Sequence, residues 1–182
     1  MDRDDFFHVL AAAADVTKET EFVVVGSQAI VGLYADPPAE MLRSMEIDLY
    51  PKNAPDRGID IDGALGEGSP FQSQYGYYAH SVGPETATAP EGWEDRLKPV
   101  TIPPRVQGRP SVTAWCIEVH DLVLAKLARG DQRDWDFAGA ALSAGLVRKE
   151  RLLTLIPTMP VPKHGHTRIR EAIEGIARTN AV

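Results

Sequence analysis

Residues 22–34, FVVVGSQAIVGLY, and residues 45–50, MEIDLY, are the two stretches on which the fold turns. Phe22-Val23-Val24-Val25 is a short, mostly β-branched run of the kind that suits a pleated surface, and Gly26-Ser27 ends it. Gln28 to Tyr34 then regains helical spacing, so the segment reads as strand, tight turn, helix. In MEIDLY apolar and acidic residues alternate with period 2 up to Pro51. A strand of that period puts Glu46 and Asp48 on one face and Met45, Ile47 and Leu49 on the other. Two carboxylates side by side repel, which is costly unless a cation sits between them or both are solvated.

Outward from these stretches the chain alternates between the two periods. Asp4 to Val16 places Phe7, Leu10, Ala11 and Ala14 at helical spacing behind an acidic first turn. Beyond Pro51, residues 56–66 read as a helix, and 75–82 and 97–102 as strands joined by the loop 83–92. Val112 to Val119 is a further strand, holding the single cysteine, Cys116, as a buried structural thiol. His120-Asp121 opens a strongly periodic helix with Asp121 as its N-cap and with Lys126 and Arg129 three residues apart. Gly130-Asp131 interrupts it, and helices follow over 135–142, 149–155 and 166–177, the last beyond Pro157, Pro160 and Pro162. Tyr75, Tyr77 and Tyr78 read as core and rim packing along a strand, and Trp93, Trp115 and Trp135 as core or core-edge residues. His164 and His166 flank a glycine without the third and fourth ligands that a transition-metal site needs.

The whole chain, 182 residues with a net charge of −7, fits one globular core with a small appendage. No apolar run approaches the ~18 residues of a membrane span, and the acidic start lacks the basic region of a secretion signal, so a cytoplasmic, non-membrane protein is expected. The charge is uneven. Residues 1–145 carry 12 Lys/Arg against 23 Asp/Glu, whereas 146–182 carry 7 against 3. We read a catalytic domain over 1–145 and a basic helical annex over 146–182 packed on it as one unit, the annex leaving room for a polyanionic partner.

Nucleotidyl transfer attacks the α-phosphorus of a nucleotide and expels pyrophosphate, so it needs carboxylates for metal ions and backbone N–H groups for the triphosphate. Gly26 would let the backbone approach phosphate, Ser27 could donate its hydroxyl, and the helix from Gln28 would present its positive end. Glu46 and Asp48, hard oxygen ligands at i, i+2, suit Mg²⁺. Each half alone also has a plain reading, since a Gly-Ser turn occurs in many folds and an acidic pair can be a solvated face.

In this order and spacing, the motifs resemble the nucleotidyltransferase superfamily, whose members share a strand, a Gly-Gly or Gly-Ser turn, a helix and an Asp-x-Asp strand. Here 18 residues separate Ser27 from Glu46, more than the superfamily's usual gap. Arg43-Ser44-Met45-Glu46-Ile47-Asp48-Leu49 looks like the Arg-x-Ser-x-Asp-Ile-Asp-Leu signature of the AbiEii-type branch, which includes the MenT-like toxins of toxin–antitoxin systems, with Glu46 for the first Asp. Asp121-Leu122-Val123-Leu124-Ala125-Lys126-Leu127 is similar to the branch's Asp-Leu-Leu-x-x-Lys-Leu helix, and Arg133-Asp134 to its Lys/Arg-Asp element.

The resemblance spans roughly residues 20–140 and implies an α/β (α+β) nucleotidyltransferase fold. That fold is a mixed, mostly antiparallel sheet with helices on one side, followed by a helical C-terminal region. It implies Mg²⁺ on Glu46 and Asp48, an NTP bound by Gly26, Ser27 and Lys126, and Asp134 orienting the site. It further implies an RNA acceptor, a tRNA 3′ end, and a cognate antitoxin as partner. Lys126 lies in an apolar run, where its charge needs an anion unless it snorkels to solvent, and Asp134 could equally form a surface ion pair with Arg129 or Arg133. Nucleotide transfer to a protein or small molecule, and an inactive binding module of the same fold, stand beside the RNA reading.

Overall fold

The computed structural model describes residues 1–104 and 106–179. Two compact units result: Met1–Pro37, Leu42–Thr86 and Leu97–Ile117 form the first; Pro38–Met41, Ala87–Arg96 and Glu118–Val182 the second.

The first unit is built on a mixed five-stranded sheet. Helix α1 (Arg3–Thr17) precedes β1 (Glu21–Val24), the five-residue helix α2 (Ala29–Leu33) and β2 (Glu46–Pro51). Then come α3 (Gly58–Leu65), α4 (Pro70–Tyr75), β3 (Tyr78–Ser81), β4 (Lys98–Ile102) and β5 (Val112–Cys116). Strand order is β3-β2-β1-β5-β4. The expectation of a mostly antiparallel sheet is met at two of the four pairings, β1/β2 and β4/β5; β1/β5 and β2/β3 are parallel. A parallel pair needs a crossover of a dozen or more residues, and the chain from β2 to β3 supplies it with α3 and α4.

Sequence dictates most of this locally. β1 is buried from Phe22 to Val24, as befits the central strand of the sheet. β2 alternates half-buried Glu46 and Asp48 with buried Ile47 and Leu49. Met45 departs from its expected face: the strand starts one residue later, and Met45 is exposed. In α1 the buried stripe is Phe6, Val9, Leu10, Ala13 and Thr17; Leu10 is buried as expected, whereas Phe7, Ala11 and Ala14 are only half-buried. An alanine-rich helix is apolar on adjacent stripes, so the sheet chooses the one carrying Phe6 and Val9.

The expected strand over 75–82 is shorter because Ser69 caps α4, Pro70 starts it, and Gly76 ends it in the left-handed region (φ 81°). Tyr75 therefore closes a helix. Tyr77 is buried among His8, Phe71 and Tyr75, its hydroxyl 2.8 Å from His8 Nδ1. Cys116 is fully buried and its thiol is pushed up to about 12 by burial, so it is a packing residue.

The second unit is helical. α5 (Val119–Arg129), α6 (Gln132–Ser143), α7 (Lys149–Leu155) and α8 (Lys163–Thr179) follow one another. The side chain of Glu118, not Asp121, caps α5 by accepting from His120 N–H at 3.0 Å. Asp121 is instead fully buried and receives a two-pronged bond from Arg96 (2.8 and 2.9 Å), whose Nη2 and Nη1 also donate to the carbonyls of Pro90 and Glu91. Trp93 is buried as expected and Trp115, in the first unit, is half-buried with its indole N–H on Glu21. Trp135, read as a core-edge residue, is exposed at 36% and donates to the Gly130 carbonyl at 3.1 Å. Arg168 donates to the carbonyls of Ala128 and Arg129 at the end of α5, satisfying groups that a helix C-terminus leaves open. No helix among the described residues is long and apolar enough to cross a membrane.

Candidate active site

The carboxylates of β2 stand beside the Gly-Ser turn and beside β3. Parallel pairing in register sets Glu46 against Tyr78 and Asp48 against His80, so residues at i, i+2 on both strands share one face of the sheet. The Tyr78 hydroxyl donates to Glu46 Oε2 at 2.6 Å. His80 Nδ1 lies 3.1 Å from Asp48 Oδ1 and 3.6 Å from Glu46 Oε1. One ligand atom from each of Glu46, Asp48 and His80 falls within 4.8 Å of the others.

Behind the carboxylates the backbone closes in. A Cβ placed on Gly26 would sit 2.0 Å from Asp48 Oδ2, so this position is a glycine for space, its φ being ordinary. The Val25 N–H bonds the Asp48 carbonyl at 3.1 Å and fixes that approach. Gln28, fully buried, donates its amide to the Ser44 carbonyl at 2.6 Å. Ser44 in turn accepts from Glu46 N–H and donates to the Glu46 carbonyl. The turn and the start of β2 are thus tied together through side chains, leaving Gln28 Oε1 buried without a partner among the described residues. Helix α2 is only five residues long and Gln28 makes no side-chain cap, so the expected dipole at its start is weak. What the turn can offer a phosphate is the Gly26 and Ser27 backbone and the half-buried Ser27 side chain.

Electrostatics follow from the crowding. Burial, and then the neighbouring Glu46, push the Asp48 carboxyl up to about 6. Burial also opposes ionisation of Glu46, but the Tyr78 hydroxyl, Asp48 and His80 hold it below the usual carboxylate range. Charge is therefore concentrated on Glu46 while Asp48 resists it, the imbalance expected when two acids share one site without a cation. The donor set fits a divalent ion. Ligands at right angles around an octahedral ion with bonds of about 2.1 Å stand about 3 Å apart, close to the His80–Asp48 spacing.

The other two expected site residues, Lys126 and Asp134, meet each other inside the second unit. Asp134 is fully buried, bound by Arg129 at 2.6 and 2.8 Å, and 3.4 Å from Lys126 Nζ. Lys126 also lies 4.6 Å over the ring of Phe137. Its charge, in an apolar run, is met by Asp134 and the ring; snorkelling is not its role. Asp134 is no surface pair: its carboxylate also accepts from Asp131 N–H in the capping box that starts α6. We expect Asp134→Ala to lower stability by about 2–3 kcal/mol, the toll of removing the buried acceptor that Lys126 and Arg129 share, discounted for the exposure of Arg129. Urea denaturation checks this, a loss below about 0.5 kcal/mol showing that the network does not hold the unit.

Sequence reasoning missed Tyr78 and His80. Their i, i+2 spacing within the expected strand over 75–82 was visible, but which strand they pair with was not. His166, set aside as a metal ligand, bonds the Met159 carbonyl through Nε2. The model of a family described as a nucleotidyltransferase of unknown function (DUF6036) matches residues 4–157 of the chain. No curated protein and no solved structure matches it.

Proposed function

We propose that the chain, which belongs to the DUF6036 family of nucleotidyltransferases, transfers a nucleotide from an NTP to an RNA acceptor. The observation that carries this is the packing of the Asp48 carboxylate against Gly26, with Glu46 one pleat away. A divalent cation, Mg²⁺ in this reading, when bound to these carboxylates would neutralise the charge that builds on the α-phosphate and on the departing pyrophosphate. The residues do the rest. Glu46 and Asp48 hold the cation, Tyr78 fixes Glu46, and the Gly26-Ser27 backbone receives phosphate oxygens. The acceptor hydroxyl oxygen bonds to the α-phosphorus, the bond from that phosphorus to the β-phosphate oxygen breaks, pyrophosphate leaves and the hydroxyl proton passes to solvent.

The finer reading, a tRNA 3′ end as acceptor and a toxin restrained by a cognate antitoxin, draws on the AbiEii-type resemblance of residues 43–49 and 121–127. The same resemblance assigns Lys126 to the triphosphate and Asp134 to orienting the site. Under this assignment Lys126→Ala weakens NTP affinity by about 1–3 kcal/mol, as loss of a charge-assisted contact does. Calorimetric titration with NTP decides it: unchanged affinity with a lowered melting temperature restricts Lys126 to holding the second unit together.

One observation favours a second acceptor class. Arg168, prominent in the basic C-terminal end, is spent on the carbonyls of α5, which removes one of the cations that would grip an RNA backbone. A protein or small-molecule acceptor needs no such grip. Incubation with each labelled NTP, Mg²⁺ and total RNA, resolved on a gel separating RNA from protein, tests the proposal. Label in RNA supports it, label in protein moves the acceptor, and no turnover with any NTP overturns the transferase reading.

A further inference from the structure

The cation site has a side chain that the nucleotidyl-transfer reading does not use. Each carboxylate has one oxygen held by the protein: Glu46 Oε2 by the Tyr78 hydroxyl and Asp48 Oδ2 against Gly26. The other oxygens, Glu46 Oε1 and Asp48 Oδ1, are both near a single atom, Nδ1 of His80, at 3.6 and 3.1 Å. An ordinary histidine–carboxylate pair is satisfied by one carboxylate. Here one ring nitrogen faces two, and Glu46 Oε1, Asp48 Oδ1 and that nitrogen outline one face of a coordination sphere.

The register makes this arrangement structural. β3 runs parallel to β2 with His80 opposite Asp48 and Tyr78 opposite Glu46, so the imidazole is fixed on the same face as the carboxylates by the sheet itself. We infer that His80 is a third protein ligand of the cation held by Glu46 and Asp48, binding through Nδ1 and turning the site from Mg²⁺ toward Mn²⁺. The inference rests on the nucleotidyl-transfer reading for the presence of a cation. Mg²⁺ is a hard ion that keeps oxygen ligands and several waters, so an imidazole adds little to its binding. Imidazole is a better ligand for the later first-row ions, and Mn²⁺ accepts it while keeping the octahedral geometry and oxygen ligands that a triphosphate offers.

The test uses the full chain and Mn²⁺ alone. Wild-type protein titrated with Mn²⁺ and followed by electron paramagnetic resonance should show one site lost in Asp48→Asn, and pulsed measurements should show a directly bound nitrogen whose signal changes on ¹⁵N-histidine labelling. His80→Gln should lose that nitrogen and weaken Mn²⁺ binding about 10-fold or more, while Mg²⁺ affinity, read by competition, changes far less. His80→Asp, which returns a carboxylate, should bind both ions and narrow the preference for Mn²⁺. Binding of Mn²⁺ at the Asp48-dependent site without nitrogen, or nitrogen surviving in His80→Gln, overturns the role of His80 and leaves the transferase reading standing. If Mn²⁺ does not bind, or binds Asp48→Asn equally well, the cation site itself is wrong and both readings fall. His80 is about half exposed, so these substitutions leave the fold intact, which circular dichroism verifies.

Discussion

We expect Asp48→Asn to remove nucleotide transfer and at the same time to stabilise the metal-free protein above pH 6. The two effects have one cause. Asparagine keeps the shape of the side chain but cannot neutralise a divalent ion, so the several kcal/mol of transition-state stabilisation that the ion supplies are lost, about 10³-fold in turnover. Without a cation the ionised carboxylate is a burden, because burial and then Glu46 raise its pKa to about 6, above the usual carboxylate range. For an acid whose folded pKa is raised, the stabilisation is fully present below the unfolded pKa and is lost as pH rises through the folded one. The contribution of Asp48 to the stability of the metal-free protein therefore falls as pH climbs from about 4 to about 6 and stays low above, and Asp48→Asn removes that contribution. At pH 7.5 the variant should be more stable by about 1–2 kcal/mol, and at pH 4 the two should match. Thermal melts at both pH values in chelator, beside a turnover assay, measure this. A variant that transfers at the wild-type rate, or is destabilised at pH 7.5, refutes the assignment of Asp48.

How much of this was legible before the structure depended on how local each feature is. The β2 alternation and the strand–turn–helix at Gly26 are written in contiguous residues, and both formed, because period 2 and a glycine break need no knowledge of distant chain. The start of α5 was misplaced because Glu118 and Asp121 are both acids near a helix start. Only the buried bond from Arg96, 25 residues away, shows that Asp121 belongs in the core. His80 was invisible for the same reason on a larger scale. Its role comes from the parallel register with β2, set by a crossover of two helices, and no spacing in the sequence encodes that register. The pairing of Asp134 with Arg129 lies five residues apart in sequence and was legible; that Asp134 is buried and also faces Lys126 was not, because the packing of α6 on α5 sets it.

Gly26→Ala tests the contact that brings turn and carboxylate together. The added methyl would meet Asp48 three times, at 2.0 Å from Oδ2, 2.8 Å from Cγ and 3.0 Å from Cβ, and all three belong to one side chain. Two routes could relieve the clash. The strands could part, but the Val25–Asp48 backbone bond and the antiparallel register from Val24↔Leu49 to Phe22↔Pro51 resist that. The Asp48 side chain turns instead, because a side chain that is 26% exposed yields more readily than a bonded strand pair, and Oδ1 leaves the position near His80. A displacement of about 1 Å at a reacting centre is worth about 100-fold in rate, and overpacking at a close contact costs about 1–3 kcal/mol of stability. We therefore expect transfer to fall about 100-fold with the protein still folded, and Mn²⁺ affinity to fall in step, since the same carboxylate serves both. Ser27→Ala, which adds no atom near Asp48, should leave Mn²⁺ affinity unchanged and raise only the NTP requirement. Wild-type turnover in Gly26→Ala would mean that Asp48 does its work in another rotamer, and the close approach of the turn would then be packing alone.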